Sequence, residues 1–105
     1  MSQPVPLAKI SEVALGKAKS VVVDGTRIAV FHTSEGFFAI EDRCTHAEVR
    51  LSDGWVEGAC VACPWHGAQF DLRTGEALTG PAILATRSFP LQIVDDVILV
   101  APPSV

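Results

Sequence analysis

The chain has no tyrosine, one methionine, and no run of lysine or arginine anywhere in its 105 residues. Without a basic stripe, and with twelve acidic side chains against eight basic ones for a formal net charge of −4, nucleic acid is not an expected partner. Apolar stretches are all far shorter than the roughly 20 residues that cross a bilayer. The opening Met1-Ser2-Gln3-Pro4-Val5-Pro6 has no basic flank leading into an apolar segment, so a soluble cytoplasmic protein with no membrane partner is expected. No glycine-rich nucleotide fingerprint is present, which excludes a dinucleotide-binding reductase. Three cysteines are an odd number, incompatible with a full disulfide framework, and in a reducing compartment their thiols are available to metal.

What is present suits a packed globular unit. Hydrophobic residues make up 49% and charged residues 19%, enough to build a core and too apolar for a disordered tail. The length predicts one domain over residues 1–105.

Ala18 to Val23 is a β-branched run ending at Asp24-Gly25, a hairpin signal because both turn residues tolerate positive φ. A second strand is predicted from about Thr26 to His32, a turn at Thr33-Ser34-Glu35-Gly36, and a third strand, Phe37 to Ile40, leading into Asp42-Arg43-Cys44. Farther on, Gly54-Trp55-Val56-Glu57-Gly58 and Cys60-Val61-Ala62 read as two short strands around a Gly-containing turn, with Cys63 at a strand end. Phe70-Asp71-Leu72 reads as another. Leu84 to Val94, interrupted by Pro90, and Val97 to Val100 around an Asp95-Asp96 turn complete the pattern. The best helical window, Ile10 to Lys19, is interrupted by Gly16 and supports about one turn. The fold class is all-β, with residues 43–83 inserted into a sheet formed by both ends of the chain.

Two short motifs carry the chemistry. Cys44-Thr45-His46 and Cys63-Pro64-Trp65-His66 each offer one thiolate and one imidazole, with residues 47–62 between them. Such an arrangement of soft and borderline ligands is a transition-metal site. Cys60 and Cys63 also form a Cys-x-x-Cys, so a zinc site completed by His46 and His66, or a redox dithiol, stands as an alternative. No helix follows the pair as a dithiol motif requires. On a strand Cys60 would face away from Cys63, as a buried small apolar residue. His32, at the end of an apolar strand, reads as structural, and Trp55, Phe31, Phe37, Phe38, Phe70 and Phe89 as core.

The pair of motifs resembles the ligand pattern of the Rieske family, Cys-x-His followed by Cys-x-x-His. Gly67 after the second histidine and Gly80-Pro81-Ala82, similar to the proline loop of that family, extend the likeness. The resemblance implies a Rieske fold of antiparallel sheets with an inserted cluster-binding subdomain at about 43–83. It also implies one [2Fe–2S] cluster per chain, with Cys44 and Cys63 on one iron and His46 and His66 on the other. Pro64 and Gly67 would set the second loop so that main-chain N–H groups point at sulfur.

High-potential Rieske proteins carry an extra disulfide and hydroxyl donors beside the cluster. Here Val49 and Trp65 stand at the disulfide positions, Ala68 at the serine and Phe70 at the tyrosine. Without donors to stabilise the more negative reduced state, the potential should lie near the bottom of the Rieske range, about −150 mV. The chain is therefore similar to the free ferredoxins of bacterial aromatic-ring dioxygenases. The implied role is non-catalytic: taking single electrons from a flavin-dependent NAD(P)H reductase to a terminal ring-hydroxylating oxygenase. With only His32 outside the ligand set, the chain lacks the two-histidine, one-carboxylate iron site of the oxygenase itself. A small subunit of a nitrite reductase and a zinc-binding structural module are the alternatives. Ala47, Leu51, Pro64, Trp65 and Pro81 are the expected apolar contacts of a small transient docking surface.

Overall fold

The computed structural model describes residues 3–44, 49–64, 67–79 and 85–101. Among them the chain forms ten strands and two 3₁₀ turns, Ile10–Glu12 and Leu51–Asp53, with no α-helix. The all-β expectation holds, and the window at Ile10 shrinks to a single turn.

Two hairpin turns organise the first half of the chain. Strand β2 (Ala18–Val23) pairs antiparallel with β3 (Thr26–Thr33) from Val23 opposite Thr26. Asp24 and Gly25 between them have φ of 49° and 80°, the left-handed pair that matches the twist of two-residue hairpins. Strand β4 (Gly36–Glu41) returns beside β3 through Thr33, whose hydroxyl accepts from the Glu35 N–H at 3.0 Å.

The remaining strands are β1 (Val5–Lys9), β5 (Trp55–Glu57), β6 (Cys60–Ala62), β7 (Gln69–Asp71), β8 (Ser88–Phe89), β9 (Leu91–Val94) and β10 (Val97–Val100). They assemble as three sheets of order β1-β10-β9, β2-β3-β4-β8 and β5-β6-β7. The sheet joining both chain ends is thus β1-β10-β9, but the inserted segment leaves from β4 and returns to β8 in the neighbouring sheet. Strand β1 was hidden by Pro4 and Pro6. It survives because it is an edge strand with an irregularity between Pro6 and Ala8, where a missing N–H is tolerated. Pro90 does more than interrupt a strand: it separates β8 from β9, which pair in different sheets. Leu84, the expected start of that run, lies outside the described residues.

Strand β3 explains the layering. Its side chains alternate between faces, and both faces are covered. Ile28 and Val30 pack with Leu7, Val13, Ile98 and Val100, while Ala29 and Phe31 pack with Leu51, Val61, Phe70 and Cys44. The continuous apolar run Ile28-Ala29-Val30-Phe31 is the sequence of a strand buried on both sides. Each fully buried Ile or Phe stabilises the fold by about 1.5–3 kcal/mol relative to an exposed one. Phe31 and Phe70 are core as expected; Phe37, Phe38 and Phe89 are half-buried against it. Trp55 is not core: it stands 64% exposed on β5, on the face away from Val56 and Val61.

Candidate metal centre

Cys44 and Cys63 reach the same apolar cluster from separate elements. The chain leaves β4 at Glu41, whose N–H donates to the Arg87 carbonyl at 2.8 Å, and Asp42 donates its N–H to the Arg27 carbonyl at 2.8 Å. Two residues later Cys44 is 1% exposed. Cys63 directly follows β6 and is fully buried. Both sulfur-bearing residues belong to the cluster that contains Leu51, Val61, Ala68 and Phe70.

Each cysteine also closes a loop in the same way. The Cys44 N–H donates to the Val49 carbonyl at 3.0 Å, and the Cys63 N–H donates to the Ala68 carbonyl at 2.7 Å. Both hydrogen bonds span five residues, and each enclosed loop contains one of the two candidate histidines. Gly67, with φ of 72°, turns the second loop and gives its N–H to the Cys63 carbonyl at 3.1 Å. The expected permissive position is therefore real, and these three N–H groups donate to carbonyls. Pro64 is exposed. His46 and His66 lie outside the described residues, as do Ala47, Trp65 and the Gly80-Pro81-Ala82 segment.

Side chains unremarked in the sequence hold the loop bases. Asp42 is 3% exposed, and its carboxylate accepts from the Ser52 N–H at 2.7 Å and the Ser52 hydroxyl at 2.6 Å. This staple joins the residues just before Cys44 to those just after Val49. Charge-assisted bonds of this length are among the stronger ones a protein makes. Nothing in the sequence distinguished Asp42 from a surface aspartate. Gly54 permits a close approach of the same segment to β6, since a Cβ there would overlap the Ala62 carbonyl. The fully buried Leu51 fills the space beneath, and so is not the docking contact expected of it.

Cys60 and His32 separate from the site. On β6, Cys60 and Ala62 share the outer face while Val61 and Cys63 face the core. Cys60 is half-buried rather than buried, because that face is only partly covered. Partial burial, then the Asp71 carboxylate, push its thiol above the usual range, so it stays protonated and weakly nucleophilic. The Asp71 carboxyl is itself held below the ordinary carboxylate range, chiefly by the Arg73 N–H at 2.8 Å. His32 donates Nδ1–H to the Val13 carbonyl at 2.9 Å and stacks on Phe37 with ring centroids 4.1 Å apart. It is a satisfied structural histidine.

The donor chemistry fits a cluster held through two thiolates: two cysteines from different loops, both shielded from water within one apolar cluster.

Comparison with known proteins agrees. Residues 3–90 match the Rieske [2Fe-2S] domain family. The ferredoxin subunit of anthranilate 1,2-dioxygenase from Burkholderia cepacia is 39% identical over 90 residues, covering 86% of this chain and 83% of that protein. Among solved structures, the ferredoxin of carbazole 1,9a-dioxygenase from Nocardioides aromaticivorans IC177 superposes with a TM-score of 0.92 at 32% identity, covering 97% of this chain and 100% of that one. A ferredoxin in a complex of reduced oxygenase and oxidised ferredoxin of carbazole 1,9a-dioxygenase superposes with a TM-score of 0.86 at 28% identity, covering 92% and 100%.

Proposed function

The chain belongs to the Rieske [2Fe–2S] domain family, and from that premise we propose that it is the electron-carrying ferredoxin of a bacterial aromatic-ring dioxygenase system. It takes single electrons from a flavin-dependent NAD(P)H reductase and delivers them to a terminal ring-hydroxylating oxygenase. The observation that carries this reading is the likeness over almost the whole length of stand-alone ferredoxins of such systems, whose role is transfer rather than catalysis. The same likeness favours it over the nitrite-reductase subunit, and the family assignment displaces the zinc module.

Cys44 and Cys63 would bind one iron and His46 and His66 the other, within a ligand-bearing unit of about residues 43–83 in a domain spanning 1–105. When bound, the cluster supplies a one-electron couple. The chain's own contribution is structural. The two five-residue closures fix where each cysteine sits, the Asp42–Ser52 staple holds the first loop base, and Phe70, Leu51 and Val61 exclude water from the thiolates. Ala68 and Phe70 offer no hydroxyl to sulfur, which keeps the potential low. A reducing cytoplasm suits the thiolate ligands, and no helix among the described residues is long and apolar enough to cross a membrane.

Metal and acid-labile sulfide analysis tests the reading, together with low-temperature paramagnetic resonance. Expected are about two irons and two sulfides per chain and a paramagnetic signal on one-electron reduction. Stoichiometric zinc and no visible absorbance would sink it.

A further inference from the structure

Between the β2–β3 turn and the residues flanking the first ligand loop lies a cavity of about 370 Å³ whose wall includes Arg27, Arg43 and Arg50, together with Glu41 and Asp42. Three of the chain's eight basic residues thus line one concavity in a protein whose acidic residues outnumber the basic by twelve to eight. The two carboxylates in the wall are committed elsewhere. Glu41 pairs with Arg87 at 3.3 Å, and the buried Asp42 is occupied by Ser52. The other arginines and Lys19 are used differently: Arg73 reaches Asp71 and Glu35, Arg87 reaches Glu41, and Lys19 reaches Glu12. Among the described residues, no ion pair engages Arg27 or Arg50.

We infer that this cavity is a docking socket for carboxylate side chains presented by an electron-transfer partner protein. The inference rests on the electron-carrier reading above. Three arguments converge on an acidic protein surface. Guanidinium groups match carboxylates in planar, two-point geometry. The cavity is open and lined by exposed arginines, so the partner's charges need not be fully desolvated, which keeps the contact favourable and quickly reversible. Its position is functional as well: Arg43 directly precedes Cys44, and Val49 and Arg50 directly follow the enclosed loop. A carboxylate seated here brings the partner to Arg43 and Val49, the residues that flank the first ligand loop. On a chain of net negative charge, a local positive concavity also orients the encounter, since an acidic partner is repelled from the rest of the surface.

The test uses the full, cluster-loaded chain and its Arg27→Glu/Arg50→Glu variant, with Arg27→Gln/Arg50→Gln as a milder pair should reversal impair folding. Arg43 is left unchanged because it adjoins a ligand. Stopped-flow reduction by the flavoprotein reductase and delivery to the terminal oxygenase are measured separately across ionic strength, with voltammetry and visible spectra on the same samples. With at least one partner, the bimolecular rate should fall by about 10- to 100-fold at low salt for the reversal pair. The fall should shrink as salt screens the charges, while potential and spectrum stay unchanged. Rates equal to or above wild type with both partners would overturn the socket. A wild-type chain with no cluster absorption, or with one that passes no electrons, would instead overturn the electron-carrier reading and the socket with it.

Discussion

Strands β2, β3 and β4 run for six, eight and six residues and pair along their whole length, whereas β5, β6 and β7 have three residues each. The long strands belong to a scaffold whose hairpins follow from local sequence: β-branched residues, then a turn that only certain residues adopt. The short strands lie at the lower end of strand lengths and depend on what their apolar face packs against. They are held by packing Val61 and Phe70 onto Ala29, Phe31 and Ile40 of the scaffold, by the Asp42–Ser52 staple, and by Gly54 fitting under the Ala62 carbonyl. The ligand-bearing layer is therefore shaped by tertiary contacts at specific residues. The scaffold is shaped by pattern, and damage should divide along that line.

The sharpest division is at the ligands. Replacing Cys44, His46, Cys63 or His66 by alanine should abolish the normal cluster, read as loss of iron and visible absorbance, while the scaffold keeps its far-ultraviolet β signature. Cys60→Ser and His32→Ala should retain the cluster. Cluster loss in Cys60→Ser would mean that the outer face of β6 takes part in the site.

Next in size is the staple. Asp42→Asn removes the charge and leaves one acceptor oxygen where the Ser52 N–H and hydroxyl now share two, and should cost about 1.5–3 kcal/mol. Because the bond lies at the base of the first ligand loop, iron release on heating should precede loss of the β signal more clearly than in the wild type. Coincident transitions would show that the two layers unfold as one.

A finer effect tests electronic tuning rather than stability. Ala68 is fully buried beside Cys63. Ala68→Ser should raise the reduction potential by about 40–90 mV, if its hydroxyl favours the reduced cluster by roughly 1–2 kcal/mol. Protein-film voltammetry measures this, and a fall in potential would remove the missing-hydroxyl explanation of a low value.

The smallest change belongs to the scaffold. Asp95 and Asp96 turn the β9–β10 hairpin with φ of 51° and 66°, a conformation that costs L-residues about 1 kcal/mol each. Asp96→Gly should raise stability by about 0.5–1 kcal/mol in urea titration, with cluster and potential untouched. A destabilised variant would point to a stronger role for the aspartate side chain than for the backbone strain.

Legibility in the sequence followed the same line. The hairpins at Asp24-Gly25 and Asp95-Asp96 could be read because a two-residue turn leaves a local chemical trace. Short strands around Cys60 could be read because Gly58 and the alternation Cys60-Val61-Ala62 bracket them. Strand β1 could not, since Pro4 and Pro6 mask an edge strand that exists only because β10 is there to pair with it. Trp55 was misplaced for a related reason: large aromatics are usually core, but its position in the alternation puts it on the outer face. At the site, the cysteines and histidines were visible as types at a spacing. Asp42, Ser52 and the arginine-lined cavity were not, because each depends on residues brought together from separate strands and loops.

The two-sided burial of β3 carries a consequence for how such a chain can vary. A slip of one residue would send Ala29 and Phe31 into the space shaped for Ile28 and Val30, and the reverse, so that both cores would be mispacked at once. Single-residue insertions or deletions within this strand are therefore doubly penalised. The turn between β5 and β6 is less constrained at Gly58, which is exposed, than at Ala59, which is buried and accepts the Leu72 N–H on its carbonyl at 2.8 Å, so a residue added at Gly58 disturbs one short hairpin. Natural length variation should accordingly collect on the ligand-bearing side and be barred from the middle of the scaffold.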